Sequence, residues 1–171
     1  MHRLIPLAAL ALLSSGCRDD YPVERCVDGQ GFDLPEEGVP ARGDPDSPVS
    51  LTVFGDVQCV YTTLIMHRLW LTMEELSADP GCRGFRLLFR HLPLDIHSRA
   101  RAAAEALAAA HRQGDEAFFD LYFELASRDD LSETRILELA ASVGIDPGQL
   151  ADDMADPAVA EVVDRDLELA D

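Results

Sequence analysis

Basic residues are scarce in this chain. Lys and Arg number 14 against 32 Asp and Glu, and the formal net charge is −18 over 171 residues. A field of that sign repels nucleic acid and anionic lipid, and no basic patch offsets it, so nucleic acid is not expected as a partner. Long apolar runs are lacking too. The run over residues 4–13 falls well short of the roughly 20 residues that a bilayer-spanning helix requires. There is no G-x-S-x-G elbow, phosphate-binding loop, dinucleotide fingerprint or H-E-x-x-H pair. His67, His91, His97 and His111 follow no closed ligand spacing, so they are assigned structural or surface roles, with no metal and no cofactor expected. The many carboxylates sit on polar helix faces. None is isolated among apolar residues, as a tuned acid or base would be. Their abundance reads as solubility.

What is present begins with the N-terminus. His2 and Arg3 precede the apolar run, and Ser14-Ser15-Gly16-Cys17 follows it. A short positive region, a short apolar region and small residues describe an export signal over residues 1–16. Small residues directly before Cys17 resemble a bacterial lipobox, although Ser14 stands where leucine is usual. That resemblance implies lipidation of Cys17 and a lipid anchor as the sole membrane contact. Ordinary cleavage near Gly16 is the alternative. Either route takes the protein out of the cytoplasm, to the periplasm or cell envelope, where disulfides persist.

Residues 17–48 read as a tether and irregular lead-in, with five prolines from Pro22 to Pro48 and few periodic apolar residues. The domain proper spans 49–171. A strand is expected at about 50–55 and a helix at about 60–78, where Ile65, Leu69, Met73 and Leu76 share one face. Asp79-Pro80-Gly81 ends that helix. A second strand covers 85–91, with Phe85, Leu87 and Phe89 alternating against Arg86, Leu88 and Arg90. Strand, helix, strand without a tight hairpin predicts a parallel, right-handed βαβ unit.

Helices are then expected at 98–112, 116–127 and 133–143, followed by segments opening at Asp146-Pro147 and Asp156-Pro157. Ser132 is the expected N-cap of the third, Leu131 and Ile136 its staple, and Gly144 its stop. Trp70, Phe118 and Phe119 are assigned to the core.

Cys59 stands at the start of the first helix. A helix N-terminus offers partial positive charge and free N–H groups, which lower a thiol pKa and raise its reactivity. A C-x-x-C pair needs a second cysteine at position 62, and that position is Thr62. The Thr62 hydroxyl can donate a hydrogen bond to a thiolate, but it is no leaving thiol. A lone thiolate can form a mixed disulfide and cannot resolve it. Three roles stay open: monothiol exchange with an external thiol, thiol-dependent binding without turnover, or no chemistry.

The stretches VSLTVFGDVQCVYT and FRLLFRHLPLDIHSRARAAAEALAAAHRQG, with the helices through VAEVVDRDLELAD, resemble the DsbA-like branch of the thioredoxin superfamily over residues 49–171. The resemblance implies an α/β, thioredoxin-like fold with an inserted helical block. It implies thiol–disulfide exchange with Cys59 as nucleophile, acting on protein thiols or disulfides or a small thiol, and it makes Pro93 and His97 shapers of a strand-to-helix turn. Val60 and Thr62 depart from the family's C-P-x-C pattern. The family's cis-proline turn, substrate-binding loop and following strands have no counterpart before Asp171. The expectation is therefore an incomplete sheet, either in a truncated product or fragment or in a chain whose partner supplies strands. A non-catalytic binding module on the same scaffold is the competing class.

The expected helix is about 25 Å long, so Cys59 and Cys82 belong to opposite poles of the sheet, too far apart to bond. The lead-in bearing Cys26 approaches the Cys82 pole. A structural Cys26–Cys82 disulfide is expected, leaving Cys59 free. An unpaired Cys26 on a loose tether is the alternative.

Overall fold

The computed structural model describes residues 34–79, 84–126 and 128–171. The expected signal, lipidation at Cys17 and the Cys26–Cys82 bond lie outside those residues. In chain order the elements are β1 (Ala41–Arg42), β2 (Ser50–Gly55), α1 (Val60–Ser77), β3 (Arg86–His91), α2 (Ala100–His111), α3 (Asp115–Leu125), α4 (Glu133–Ser142), α5 (Pro147–Met154) and α6 (Pro157–Ala170). The strands form one sheet in the order β1-β3-β2. β2 and β3 run parallel, from Ser50 opposite Arg86 to Gly55 opposite His91. This is the βαβ unit that the strand–helix–strand pattern requires.

β1 corrects the reading of residues 17–48 as wholly irregular. Ala41 and Arg42 pair antiparallel with Leu88 and Leu87, and the Phe89 N–H donates to Pro40 O at 3.0 Å. Two residues carry no period, so only the partner strand reveals them. Gly43 follows with φ 103°, and a Cβ there would lie 2.5 Å from Phe85 O. That close approach admits glycine alone. Arg42 stacks 3.8 Å above the Trp70 ring and pairs with Glu116 at 2.8 Å, tying the lead-in to α1 and α3.

β3 is the central strand, and Leu87 to His91 are all buried. The alternation of Leu87 and Phe89 against Leu88 and Arg90 therefore does not divide buried from exposed, because helices cover both faces: Phe89 packs on Phe118 and Tyr122 of α3, and Arg90 meets Asp166 of α6. Arg90 is kept inside by Asp166 of α6. Its Nη1 donates to Asp166 Oδ1 at 2.6 Å, and its Nη2 donates to Pro35 O. The second Asp166 oxygen accepts the His91 N–H at 2.8 Å. One carboxylate thus neutralises a buried cation and accepts from a strand-end amide.

α2 runs through the middle of the helical layer with nearly all its alanines buried, and Phe118, Phe119, Leu121, Tyr122 and Leu125 of α3 pack against it. Small side chains let neighbouring backbones approach closely. Part of the stripe expected on α1 holds, since Leu69 and Met73 pack against the core. Thr63 and Met66 are buried, with Trp70 and Met73 packed below them, whereas Ile65 is exposed. The helix is apolar on more than one side, so periodicity does not select the inward face. Val60, Tyr61, Leu64, Ile65 and Leu71 form its outer, exposed apolar surface.

The caps divide by chemistry. Asp146 accepts from the N–H groups of Gly148 and Gln149, and Asp156 from that of Ala158. Ser132 occupies the N-cap position of α4 but its side chain makes no cap hydrogen bond. Instead, Asp130 accepts the Ser132 N–H at 2.9 Å. Gly144 does close α4, at φ 84°, with the Ile145 N–H returning to Ala140 O.

Candidate active site around Cys59

Cys59 is the N-cap residue of α1, with extended backbone at φ −78° and ψ 117°. It is a free, half-buried thiol. The residues before it make a tight turn. The Gln58 N–H donates to Asp56 Oδ1 at 2.8 Å, and the Cys59 N–H donates to Asp56 O at 3.0 Å. The helix then starts with the Thr63 N–H on Cys59 O at 3.0 Å. An aspartate two residues before Gln58 is what such a side-chain-closed turn needs.

The thiol pKa is held below its ordinary value. The Thr62 N–H is the main cause, helped by the Thr62 hydroxyl and the Tyr61 N–H, while partial burial and the Asp56 charge oppose it. The Cys59 sulfur accepts no cap hydrogen bond; the pull of the α1 N–H groups is electrostatic and does not need one. Thr62 also faces the turn, because its Oγ1 lies 3.4 Å from the Asp56 N–H. Gly55 makes room for this: a Cβ there would meet Thr62 Cγ2 at 2.5 Å and the Phe89 ring at 2.8 Å.

Beneath the turn lie the buried hydroxyls of Thr63 and Tyr122, which neighbour each other and have no other partner among the described residues. Burial pushes the Tyr122 phenol up; the Thr63 hydroxyl beside it pulls the other way, and the negative charges of Asp56 and Cys59 add to the rise, so the phenol stays protonated within electrostatic reach of the site. On the outer side, Val60 and Tyr61 flank the thiol and are largely exposed.

The connector after β3 closes the other side. Leu92 donates its N–H to Gly55 O at 2.8 Å, and Leu94 its N–H to Asp56 Oδ2 at 3.0 Å. His97 Nδ1 lies 2.6 Å from the same Asp56 oxygen. A carboxylate only accepts, so Nδ1 carries the hydrogen. His97 therefore shapes the strand-to-helix turn by gripping Asp56, which is buried. Asp56 is the residue the sequence reading passed over. Its signal was available: an acid directly after Gly55 and three residues before Cys59.

The other histidines go elsewhere. His67 packs at a tilt against Phe123 with ring centroids 5.2 Å apart, His111 pairs with Asp115 at 2.9 Å, and His91 is buried. Among the described residues no group of three or more His, Cys, Asp or Glu side chains converges as metal ligands would, and no helix is long and apolar enough to cross a membrane.

The fold is thioredoxin-like α/β, rich in helix with a small sheet. Solved structures of the same architecture are DsbA-type. The thiol–disulfide exchange protein α-DsbA2 of Wolbachia pipientis superposes with a TM-score of 0.67 at 20% identity, covering 78% of this chain and 69% of that one. A thioredoxin-like oxidoreductase from Silicibacter pomeroyi DSS-3 gives 0.60 at 29% identity, covering 78% and 73%. BdbD of Bacillus subtilis gives 0.62 at 21% identity, covering 77% and 74%. No family model matches the chain. The curated relatives are Na⁺/H⁺ antiporters named NhaA. One from Salinispora tropica is 32% identical over 132 residues, 76% of this chain, and one from Herminiimonas arsenicoxydans is 32% identical over 127 residues, 74% of this chain. The chain spans 19% of the length of each.

Proposed function

We propose that residues 49–171 form a thiol–disulfide exchange domain in which Cys59 is the nucleophile and acts as a monothiol. The observation that carries this reading is the placement of the Cys59 thiol at the N-cap of α1, beside the Thr62 and Tyr61 N–H groups that favour its thiolate, on a scaffold shared with DsbA-type oxidoreductases. The Cys59 thiolate attacks one sulfur of a partner disulfide, a Cys59–partner disulfide forms, and the partner's other sulfur leaves as a thiolate that takes a proton from water. Thr62 donates to the thiolate and has no sulfur, so release requires an external thiol. That thiolate attacks the partner's sulfur and returns Cys59 as a thiolate. Partners are protein thiols or disulfides, or a small thiol. The proposed setting is the cell envelope, reached through the 1–16 signal and held by lipid on Cys17, with Cys26–Cys82 fastening the 17–48 lead-in. A periplasmic thioredoxin-like protein of Salmonella enterica shares the architecture, with a TM-score of 0.63.

The antiporter relatives favour a second reading, in which the same scaffold serves as an interaction module of a longer transport protein. The discriminating experiment is iodoacetamide labelling from pH 5 to 9, read by mass spectrometry on the Cys59 peptide, with oxidised glutathione added in parallel. Thiol exchange requires labelling in mildly acidic buffer and a glutathione adduct that C59S loses. Labelling confined to the ordinary thiol range, with no adduct, overturns it in favour of the module.

A further inference from the structure

We propose that Asp56 and His97 are positioning residues for Cys59: together they lock the turn that presents the cysteine at the head of α1. This rests on the reading of Cys59 as the site's nucleophile. The two segments that meet are 55–59 and 92–99. Four hydrogen bonds join them, and a fifth, from the Gln58 N–H to Asp56, helps close the first. Asp56 Oδ1 accepts from Gln58 N; Asp56 Oδ2 accepts from Leu94 N and from His97 Nδ1. Gln58 Oε1 accepts from Arg99 N at 2.8 Å, and Gly55 O accepts from Leu92 N. Three of the five end on one carboxylate. His97 is the one of its side-chain donors that reaches across from the connector, and it keeps about three-quarters of its surface covered (24% exposed).

Neither residue is among the donors that favour the thiolate, which are Thr62 and Tyr61. Both act through the turn. The Asp56 N–H meets Thr62 Oγ1, the same hydroxyl that donates toward Cys59. Fixing Asp56 therefore fixes the side of α1 to which Cys59 is exposed. The charge of Asp56 works the other way: a carboxylate near the thiol disfavours the thiolate. Field and position thus carry opposite signs, and a substitution separates them.

The experiment measures the pH dependence of iodoacetamide alkylation of the Cys59 peptide in wild type, D56A, H97A and H97Q, in the full chain. If Asp56 acted only through its charge, D56A would alkylate faster than wild type at pH 7. Positioning predicts the reverse. D56A, which removes all three contacts to the carboxylate, should be about tenfold slower, a loss of about 1.4 kcal/mol of preference for the turn that presents Cys59. H97A should shift the same way by less, and H97Q, which restores a donor toward Asp56, should recover most of the rate. Amide hydrogen exchange at Gln58 and Leu94 provides the second readout. Protection at both should fall in D56A, and at Leu94 in H97A, while the α2 and α3 amides keep theirs. Faster or unchanged alkylation in D56A, or unchanged protection at Leu94 in H97A, overturns the proposal. A wild-type Cys59 that alkylates like a free cysteine overturns the exchange function alone. The protection changes would then still decide whether the pair holds the turn.

Discussion

Lowering the pH from 7 to 5 should destabilise this protein through one residue, His91. Its ring is 1% exposed and lies between Phe89 and Phe118, each with its centroid 5.8 Å away. Among the described residues Nε2 has no hydrogen-bond partner. Burial, followed by the positive charges of His111 and Arg101, pulls the pKa down from 6.5 to about 3. The folded state therefore refuses a proton that the unfolded chain accepts. Stability is intact above 6.5, falls as the pH drops through the window from 6.5 to 3, and levels off below it. At about 1.4 kcal/mol per pH unit, the interval from 6.5 to 5 removes about 2 kcal/mol. With a urea slope of about 2 kcal/mol per molar, the transition midpoint should fall by about 1 M between pH 7 and pH 5 from this group alone. Other titrating groups add a background, so the assay is a comparison. Urea unfolding is followed at pH 7, 6 and 5 in wild type and H91F. The wild type should lose about 2 kcal/mol more than H91F over that range. Equal losses in the two proteins would refute the reasoning.

Three further outcomes follow from packing and charge. Replacing Arg90 by methionine strands the buried Asp166 carboxylate; it should cost about 3–5 kcal/mol in urea unfolding, and the double replacement R90M/D166L should recover much of that. G55A forces a Cβ against Thr62 and Phe89; it should lower stability by about 1–3 kcal/mol and slow Cys59 alkylation, because α1 must move at its first turn. D146A removes the acceptor for two N–H groups of α5 and should cost about 1 kcal/mol in urea unfolding, whereas S132A, whose hydroxyl makes no cap bond, should be nearly neutral in the same assay.

The sequence by itself determined the order and kind of the main elements. β2, α1, β3 and the helices from α2 to α6 follow from local signals: period-two and helical patterns, alanine content, and the Asp-Pro and glycine punctuation that starts and stops helices. It also determined where the thiol sits, because a cysteine between a short strand and a helical run can only stand at the head of that helix. Tertiary structure alone decided the rest. β1 is too short to have a period and exists because β3 has a free edge to pair with. The inward face of α1 is chosen by Trp70 meeting Phe119 and Phe123, since its sequence is apolar on several sides. Arg90 is buried because Asp166, 76 residues later, reaches it. Asp56 and His97 lie 41 residues apart, and neither has a local pattern that names the other. A hydrogen bond between distant residues leaves no trace in local sequence; only the parallel crossing of β2 and β3, which brings both strand ends to one pole, puts the carboxylate and the imidazole beside Cys59.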